Sequence, residues 1–536
     1  IAELDEVGIS ALCHGLSKLV IVDISLNRSQ DNPQLIFESM NSTGRELSQA
    51  DLIRNFVLMG LEPDIQTALY REHWRPLELL FGQEAYGVQF DAFMRHFLTV
   101  RTGEIPNIGA VYDAFKGYAR DPETAAKGIE VLLADIHDNA GYYCAMALGK
   151  EPDPQLSAAF RDRRELKVDV AYPFLLELYS DYVHHRLSKA DFVAVIRLIE
   201  AYVFRRAVCG IPTNTLNKTF ATFMRSVKKE RYRESIEAHL LLLTSYRRFP
   251  LDDEFKREIK TKDLYNFRTR SYLLRKLENA DRKEPIDVNQ YTIEHILPQN
   301  DRLSASWREA LGVDWKKVQQ VWLHTLGNLT LTGYNSEYGD RPWREKRDMP
   351  GGFRDSPLRL NKGLAAVDQW NEAAIRARAD RLATTALAVW PEPKLSAAQV
   401  ASFRPQPGAS AVYSINSFPH LAPVAPMRPV FDAFRREILA LDPSITEEFL
   451  KLYVAYKAET NIVDVVPQVK KLRLSINMPF NEVNDPEVRC TDITNLGRWG
   501  NGDVEVNLST LNDVPYAVGI VRQALERQLG NGGEQL

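Results

Sequence analysis

"YTIEHILPQN" (Tyr291–Asn300) is the point at which a chain of long polar helices changes its rhythm. Tyr291 to Ile296 form a short β-prone run, closed by a Glu-His pair and a proline-stiffened bend. Leu297 precedes Pro298 and is pushed toward extended backbone, so His295 ends a strand where regular structure stops. A second β-prone run, "LGNLTLTGYN" (Leu326–Asn335), follows after a helical insert and leads into a helix near Ser336. A neutral imidazole held at such a strand end can take a proton from water near pH 7, and Glu294 with nearby side-chain oxygens suits a hard divalent cation. Asn328 and Asn335, seven residues apart, add uncharged oxygen donors. Phosphodiester hydrolysis needs such a set: a base for water, a cation for the developing charge, and groups that fix both. Taken alone, a Glu-His pair beside a proline is more often a surface or satisfied core feature, and Asn-rich turns are common for conformational reasons.

Outward from this stretch the chain is mostly helical. Upstream, from about Leu61 to Glu284, apolar residues recur at helical spacing, as in "FDAFMRHFLTV" and "DFVAVIRLIEAYVFRRAV". The opening reads strand ("LVIVDISL", Leu19–Leu26), then a helix capped at Asn32 with Pro33 next, then a second helix start at Ser48. Downstream, an amphipathic helix is expected from near Leu364, with Val367, Trp370, Ala374 and Ala377 on one face. Pro391 to Pro429 is Pro-, Ser- and Ala-rich and reads as a semi-stiff linker. After it comes a module of roughly a hundred residues with helices and alternating runs such as "KKLRLSINM" and "GDVEVNL".

With 536 residues, several domains are expected. An apolar fraction of 45%, a charged fraction of 26% and no apolar run of bilayer length exclude a helical membrane protein. The net charge of −4 excludes a protein that coats nucleic acid by charge alone, so any DNA contact must be a local patch. Four scattered cysteines without Cys-x-x-Cys spacing point to neither structural zinc nor a disulfide framework, and the expected compartment is a reducing cytoplasm. The chain opens at Ile1 as though within a domain, which suggests missing upstream sequence. His184 and His185 are adjacent on a helix, point to different sides and read as surface. The basic run "MRSVKKERYRES" (Met224–Ser235) reads as a solvated helix face.

"EHILPQ" followed by "LGNLTLTGYNSEYGDRPWREKR" resembles the His-Me finger (HNH) nuclease domain of GmrSD-like type IV restriction enzymes. The resemblance implies a ββα-metal site. In it His295 is the general base, Asn328 orients it, and Glu294 and Asn335 stand on the metal side, at positions where many such nucleases carry Asp or His. Lys346 joins the catalytic set and Arg347 contacts the DNA backbone. Independently, "IFESMNSTGRELSQADLIRNFVL" (Ile36–Leu58) resembles the later part of the ParB/sulfiredoxin-like nucleotide-handling domain of these proteins, with Phe37, Asn41, Arg54 and Asn55 as nucleotide-binding positions. The Asp-Gly-Gln-Gln-Arg segment of that domain occurs nowhere in these residues, so a nucleoside triphosphate is expected only where the missing N-terminal part is present. "AYKAETNIVDVVPQVKKLRLSINM" and "ITNLGRWGNGDVEV" resemble an uncharacterised domain often fused to restriction-type proteins. There Tyr456, Lys457, Arg498 and Trp499 offer an aromatic and basic surface, against the commoner reading of a buried Trp and a solvated Lys.

The expected fold class is therefore multidomain and predominantly α-helical, with an α+β ββα-metal (HNH) nuclease domain and a small C-terminal α/β domain. The expected divisions are 1–60, a truncated ParB/sulfiredoxin-like part; 61–254, a helical bundle; 255–390, the nuclease domain; 391–428, the linker; and 429–536, the accessory domain. The expected function is a Mg²⁺- or Mn²⁺-dependent DNA endonuclease acting on modified double-stranded DNA in defence against phage, with a homodimer as a possible assembly and no membrane partner. The alternative is a catalytically inactive DNA- or nucleotide-sensing regulatory protein.

Overall fold

The computed structural model describes residues 6–20, 48–59, 61–213, 216–404, 413–442, 445–458, 460–494 and 502–530. Most of the "LVIVDISL" strand, the Asn32 cap, Phe37, Asn41, Arg498 and Trp499 lie outside them. The chain divides into two compact units, residues 1–144 and 145–536, so the expected helical stretch 61–254 belongs to both. Among the described residues no helix is long and apolar enough to cross a membrane.

In the first unit, Ser48 caps the helix Gln49–Leu58 by accepting from the Asp51 amide, as the sequence implies. The helices Arg75–Phe81 and Gln83–Thr102 meet through an aromatic core in which Trp74, Phe81, Phe90 and Phe93 pack at tilted and edge-on angles. The basis is the spacing of Phe90, Phe93 and Phe97, which places them on one face of their helix.

The helices of the second unit bury charge as well as hydrocarbon. Asp162 on the helix Pro154–Leu166 receives Arg197, Arg275 and Lys276, and Glu200 receives Arg197 and Lys276. Burial alone would raise the Asp162 carboxyl, yet these three cations hold it well below its ordinary value. Arg205 donates to the carbonyls of Trp390 and Pro250, at 2.7 and 3.0 Å, and the Trp390 indole donates to the Tyr272 hydroxyl at 2.7 Å. Thus the far end of the helix Glu372–Val389 is tied back to the bundle.

Two segments differ from the sequence expectation. The helix expected from Leu364 begins at Glu372, because the Asn371 side chain accepts from the Ala374 amide and caps it there. Leu364–Ala366 form only a 3₁₀ turn, and Val367 and Trp370 lie outside the helix. The expected linker contains the helix Ala397–Ser402, closed by a Ser396–Gln399 capping box, and its Gln399 reaches Glu234 while Phe403 lies under Lys228 and Arg231. The basic run at 224–235 is therefore partly covered and forms 3₁₀ turns before a helix starts at Tyr232. His184 and His185 are exposed.

Of the two sheets among the described residues, the small one is an antiparallel pair, β1 (Thr292–His295) and β2 (Leu329–Thr332), in the register His295 to Leu329. The other has six strands, β3 (Thr446–Phe449), β4 (Val454–Lys457), β5 (Asn461–Pro467), β6 (Leu472–Ile476), β7 (Thr491–Asp492) and β8 (Val504–Leu508), in the order β3-β4-β5-β6-β8-β7. Every pairing in it is antiparallel, so the module is α+β in kind, with the helices Arg428–Leu441 and Val514–Gly530 sharing its apolar core. Tyr456 is buried with its hydroxyl on Glu447 and offers no open aromatic face, while the partly exposed Lys457 pairs with Glu448.

Arg378, buried on the helix Glu372–Val389, carries β2 on its guanidinium. One nitrogen donates to the carbonyls of Leu326, Gly327 and Leu329, at 3.1, 2.8 and 2.8 Å, and another to that of Leu360 at 3.2 Å. Arg378→Met strands these four carbonyls and is expected to cost at least about 3 kcal/mol in urea unfolding, where an unsatisfied buried group costs about 1–3 kcal/mol. A second expectation concerns acid. His239 lies edge-on against Phe223, and burial, helped by Arg247, pulls its imidazole down to about 4. Between pH 6.5 and 4 the unfolded chain binds a proton here that the folded chain refuses, so stability falls as the pH drops through that window. Wild type should lose up to about 3 kcal/mol there that His239→Phe does not lose, as read from unfolding curves at each pH.

Candidate functional site

The bend after β1 is fixed by one carboxamide. Asn328 Oδ1 accepts from the Leu297 amide at 2.7 Å and from the Trp370 indole at 3.2 Å, and its Nδ2 donates to the carbonyls of Leu297 and Leu323 at 3.1 and 2.9 Å. Its own carbonyl accepts from the Ile296 amide at 3.0 Å. All four hydrogen-bonding positions of the side chain are used and it is fully buried. Asn328 therefore fixes the main chain that follows His295, without touching the imidazole ring. The glycine before it is required by close approach, since a Cβ on Gly327 would lie 2.3 Å from the Ile375 carbonyl oxygen. Gln319 Nε2 donates to the carbonyls of Pro298 and Asn300 and holds the rest of the turn.

Strand alternation sends the adjacent side chains of Glu294 and His295 to opposite faces of β1, and their partners agree. On one face Lys346, from the helix Trp343–Asp348, places its ammonium 2.6 Å from Glu294 Oε1 and 3.2 and 3.3 Å from the carbonyls of His295 and Ile296. Both ends of this pair are buried. Burial pushes the Glu294 carboxyl up and the Lys346 ammonium down, each opposed by the other's charge. Asp340 adds a further negative charge to the same neighbourhood.

On the other face His295 Nε2 lies 3.0 Å from His324 Nδ1, and the Tyr265 ring stands edge-on to it at 4.5 Å. His295 is 4% exposed. Burial, with the neighbouring His324 and Lys346, pulls its imidazole down to about 3, so it is neutral at pH 7. Tyr265 also stacks on His324 at 5.3 Å with 13° between the rings, and the amides of Leu264 and Tyr265 donate to the His324 carbonyl. Neither His324 nor Tyr265 was among the residues expected from sequence. A lone histidine at the end of a helical insert carries no signal by itself, and Tyr265 lies thirty residues before His295.

The remaining expected positions are placed as follows. Asn335, at the start of the short helix Asn335–Tyr338, donates Nδ2 to the Ile293 carbonyl at 3.1 Å, one residue before Glu294. Arg347 is held by Asp348 and the Val367 carbonyl, and Lys346 is enclosed in protein, so neither side chain extends freely toward a ligand in this arrangement. In the first unit Arg54 pairs with Asp51 and Glu78. With Asn55, Tyr70, Arg71 and Arg75 it lines an open hollow of about 800 Å³.

The donors around β1 can be tested against a hard divalent ion. Glu294 and Asn335 supply oxygen of the right kind, and an ion of the Mg²⁺ type keeps several waters and needs few protein ligands. Among the described residues no group of three or more His, Cys, Asp or Glu side chains could hold a metal by themselves. Oxygen donors of the right chemistry are thus present beside β1, with the Glu294 carboxylate already engaged by the Lys346 ammonium.

Comparison with known proteins bears on this region directly. Residues 249–385 match the model of the GmrSD restriction endonucleases, C-terminal domain, and residues 420–527 match a domain of unknown function, DUF5655. An uncharacterized protein of Haemophilus influenzae is 36% identical over 97 residues, 18% of this chain and 32% of that protein, so the chain spans about a third of this relative's length. Residues 249–385, with β1, β2 and the His295 bend among them, are thus similar to the C-terminal domain of the GmrSD restriction endonucleases.

Proposed function

We propose that this chain is a metal-dependent DNA endonuclease of the modification-dependent restriction type, with His295 as general base. The observation that carries the reading is the Asn328 clasp within the GmrSD match: it fixes the main chain immediately after a neutral histidine at the end of a strand. Glu294 and Asn335 would hold the divalent ion. Such an ion, when bound, neutralises charge that develops on phosphate and leaving oxygen. His295 takes the proton of the attacking water, and Asn328 keeps the bend rigid while it does so. One site cuts one strand, so a double-strand break takes two engagements, which a homodimer would supply. The arginines and Asn55 around the hollow of the first unit would serve a nucleotide or another phosphate-bearing ligand. Modified DNA of foreign origin is the proposed substrate.

One observation favours the alternative of an inactive sensor: the Lys346 ammonium already sits on Glu294, where the ion would bind. Nicking of supercoiled plasmid, modified and unmodified, with Mg²⁺ or Mn²⁺ separates the two. Active wild type with a loss of about 10²–10⁴-fold in His295→Ala is expected, the usual span for a general base. Equal nicking by both proteins, or none by either, would sink the endonuclease. The buried pair gives a separate expectation. Lys346→Met leaves Glu294 buried without its cation and should cost about 3–5 kcal/mol in chemical unfolding, whereas Glu294→Leu combined with Lys346→Met should recover most of the loss.

A further inference from the structure

His295 and His324 share one hydrogen bond through Nε2 and Nδ1, 3.0 Å apart. Such a bond holds a single proton, so one ring donates and the other accepts. If His324 donated, His295 Nε2 would be capped. If His295 donates, its Nε2–H is anchored and its lone pair lies on Nδ1, the only arrangement in which the ring can take a proton without first breaking this contact. His324 is built to stay in place. Leu264 and Tyr265 donate to its carbonyl at 2.8 and 3.3 Å, and Tyr265 lies flat against its ring while standing edge-on to His295. Arg270 in turn lies over the Tyr265 ring at 5.2 Å and donates to the Tyr265 carbonyl.

We infer that His324 is the positioning residue of the endonuclease reaction: its Nδ1 accepts from His295 Nε2–H and so fixes the ring and tautomer of the base. This rests on the endonuclease reading above. When water attacks, its proton passes to His295 Nδ1 and its oxygen forms the new bond to phosphorus as the bond to the leaving oxygen breaks; that oxygen departs with the bonding pair and takes a proton from solvent water. His295 is then an imidazolium with both nitrogens protonated, and its Nε2–H remains on His324 as a charge-assisted bond, stronger than before. His324 neither gains nor loses a proton. The segment Lys262–Arg270 thereby has a function in the site through Tyr265, which keeps the His324 ring from turning.

The test is steady-state plasmid nicking by the full chain with Mn²⁺, comparing wild type, His295→Ala and three substitutions at 324. His324→Phe keeps the ring and removes the acceptor, and kcat should fall roughly tenfold to a hundredfold with KM for plasmid unchanged, the range for groups that orient a reacting side chain. His324→Asn returns a carboxamide oxygen at the branch where Nδ1 stood, and should restore most of that loss. His324→Gln carries the same group one bond further out and should not. The Asn and Gln variants are alike in polarity, so their contrast stands even if His324→Phe does not fold. Nicking by His324→Phe at the wild-type rate, or equal losses in Asn and Gln variants, overturns the role given to His324 while leaving His295 as base. Wild type no more active than His295→Ala overturns the endonuclease reading, and the inference with it.

Discussion

The site depends on the clasp that Asn328 makes around Leu297. A peptide leaving a strand into an X-Pro bend has no ladder partner, and its amide and carbonyl must find others once buried. Asn328 answers both from a single side chain. Because Asn328 begins the run into β2, the clasp also sets the register that places His295 opposite Leu329. The geometry of the bend and of the strand pair are one constraint. Behind it, Arg378 collects the carbonyls that flank Asn328, and the Ile375 backbone fills the space that a larger residue at 327 would need.

This explains what could be read from sequence and what could not. Local chemistry was legible: a β-prone run before proline, a Ser48 cap, a second run starting Leu-Gly-Asn-Leu. Asn328 was singled out as a residue that orients His295, and the structure places its side chain on the main chain of Leu297 and Leu323, away from the imidazole ring. Long-range contacts were not legible. Nothing in "VQQVWLHTLGN" says that His324 will meet His295, since that contact exists only after β1 and β2 pair and the segment near Leu264 docks on the His324 carbonyl. The misplaced helix start at Leu364 has the same origin. Its apolar period was real, but Val367 and Trp370 serve the core from irregular backbone, Trp370 by reaching Asn328. The Pro-, Ser- and Ala-rich composition of the linker hid a capped helix in the same way, because a capping box is a hydrogen-bond pattern and not a composition.

Charge burial runs through the second unit. Asp162 and Glu200 are buried with several cations around them, and Arg378 with carbonyls alone. Such arrangements are weak sources of stability, because desolvation consumes much of the attraction, while removal of one partner leaves a costly uncompensated charge. In the Glu294–Lys346 pair this has a chemical consequence. The ammonium is a compact cation with three donors, here directed to one carboxylate oxygen and two carbonyls. It neutralises a buried carboxylate that would otherwise be costly, and it does so where a divalent ion is proposed to bind.

In the proposed reaction the two faces of β1 would impose an order on binding. His295 opens toward His324 and Tyr265, Glu294 toward Lys346, and the backbone of β1 lies between them. A phosphate that meets both must approach at the strand end, where Lys346 already touches the carbonyls of His295 and Ile296. A divalent ion arriving alone would have to displace an ammonium from a desolvated carboxylate and would leave that ammonium with fewer partners. An ion arriving with a DNA phosphate changes the balance, because the phosphate oxygens offer Lys346 new acceptors while completing the shell of the ion. The proposed reaction is thus one in which metal and DNA bind cooperatively. Metal affinity measured without DNA should accordingly be weak, and removal of the Lys346 ammonium should strengthen it at Glu294, since the ion then meets an unpaired carboxylate. The contrary result, tight binding to the wild-type chain alone, would place the ion away from Glu294.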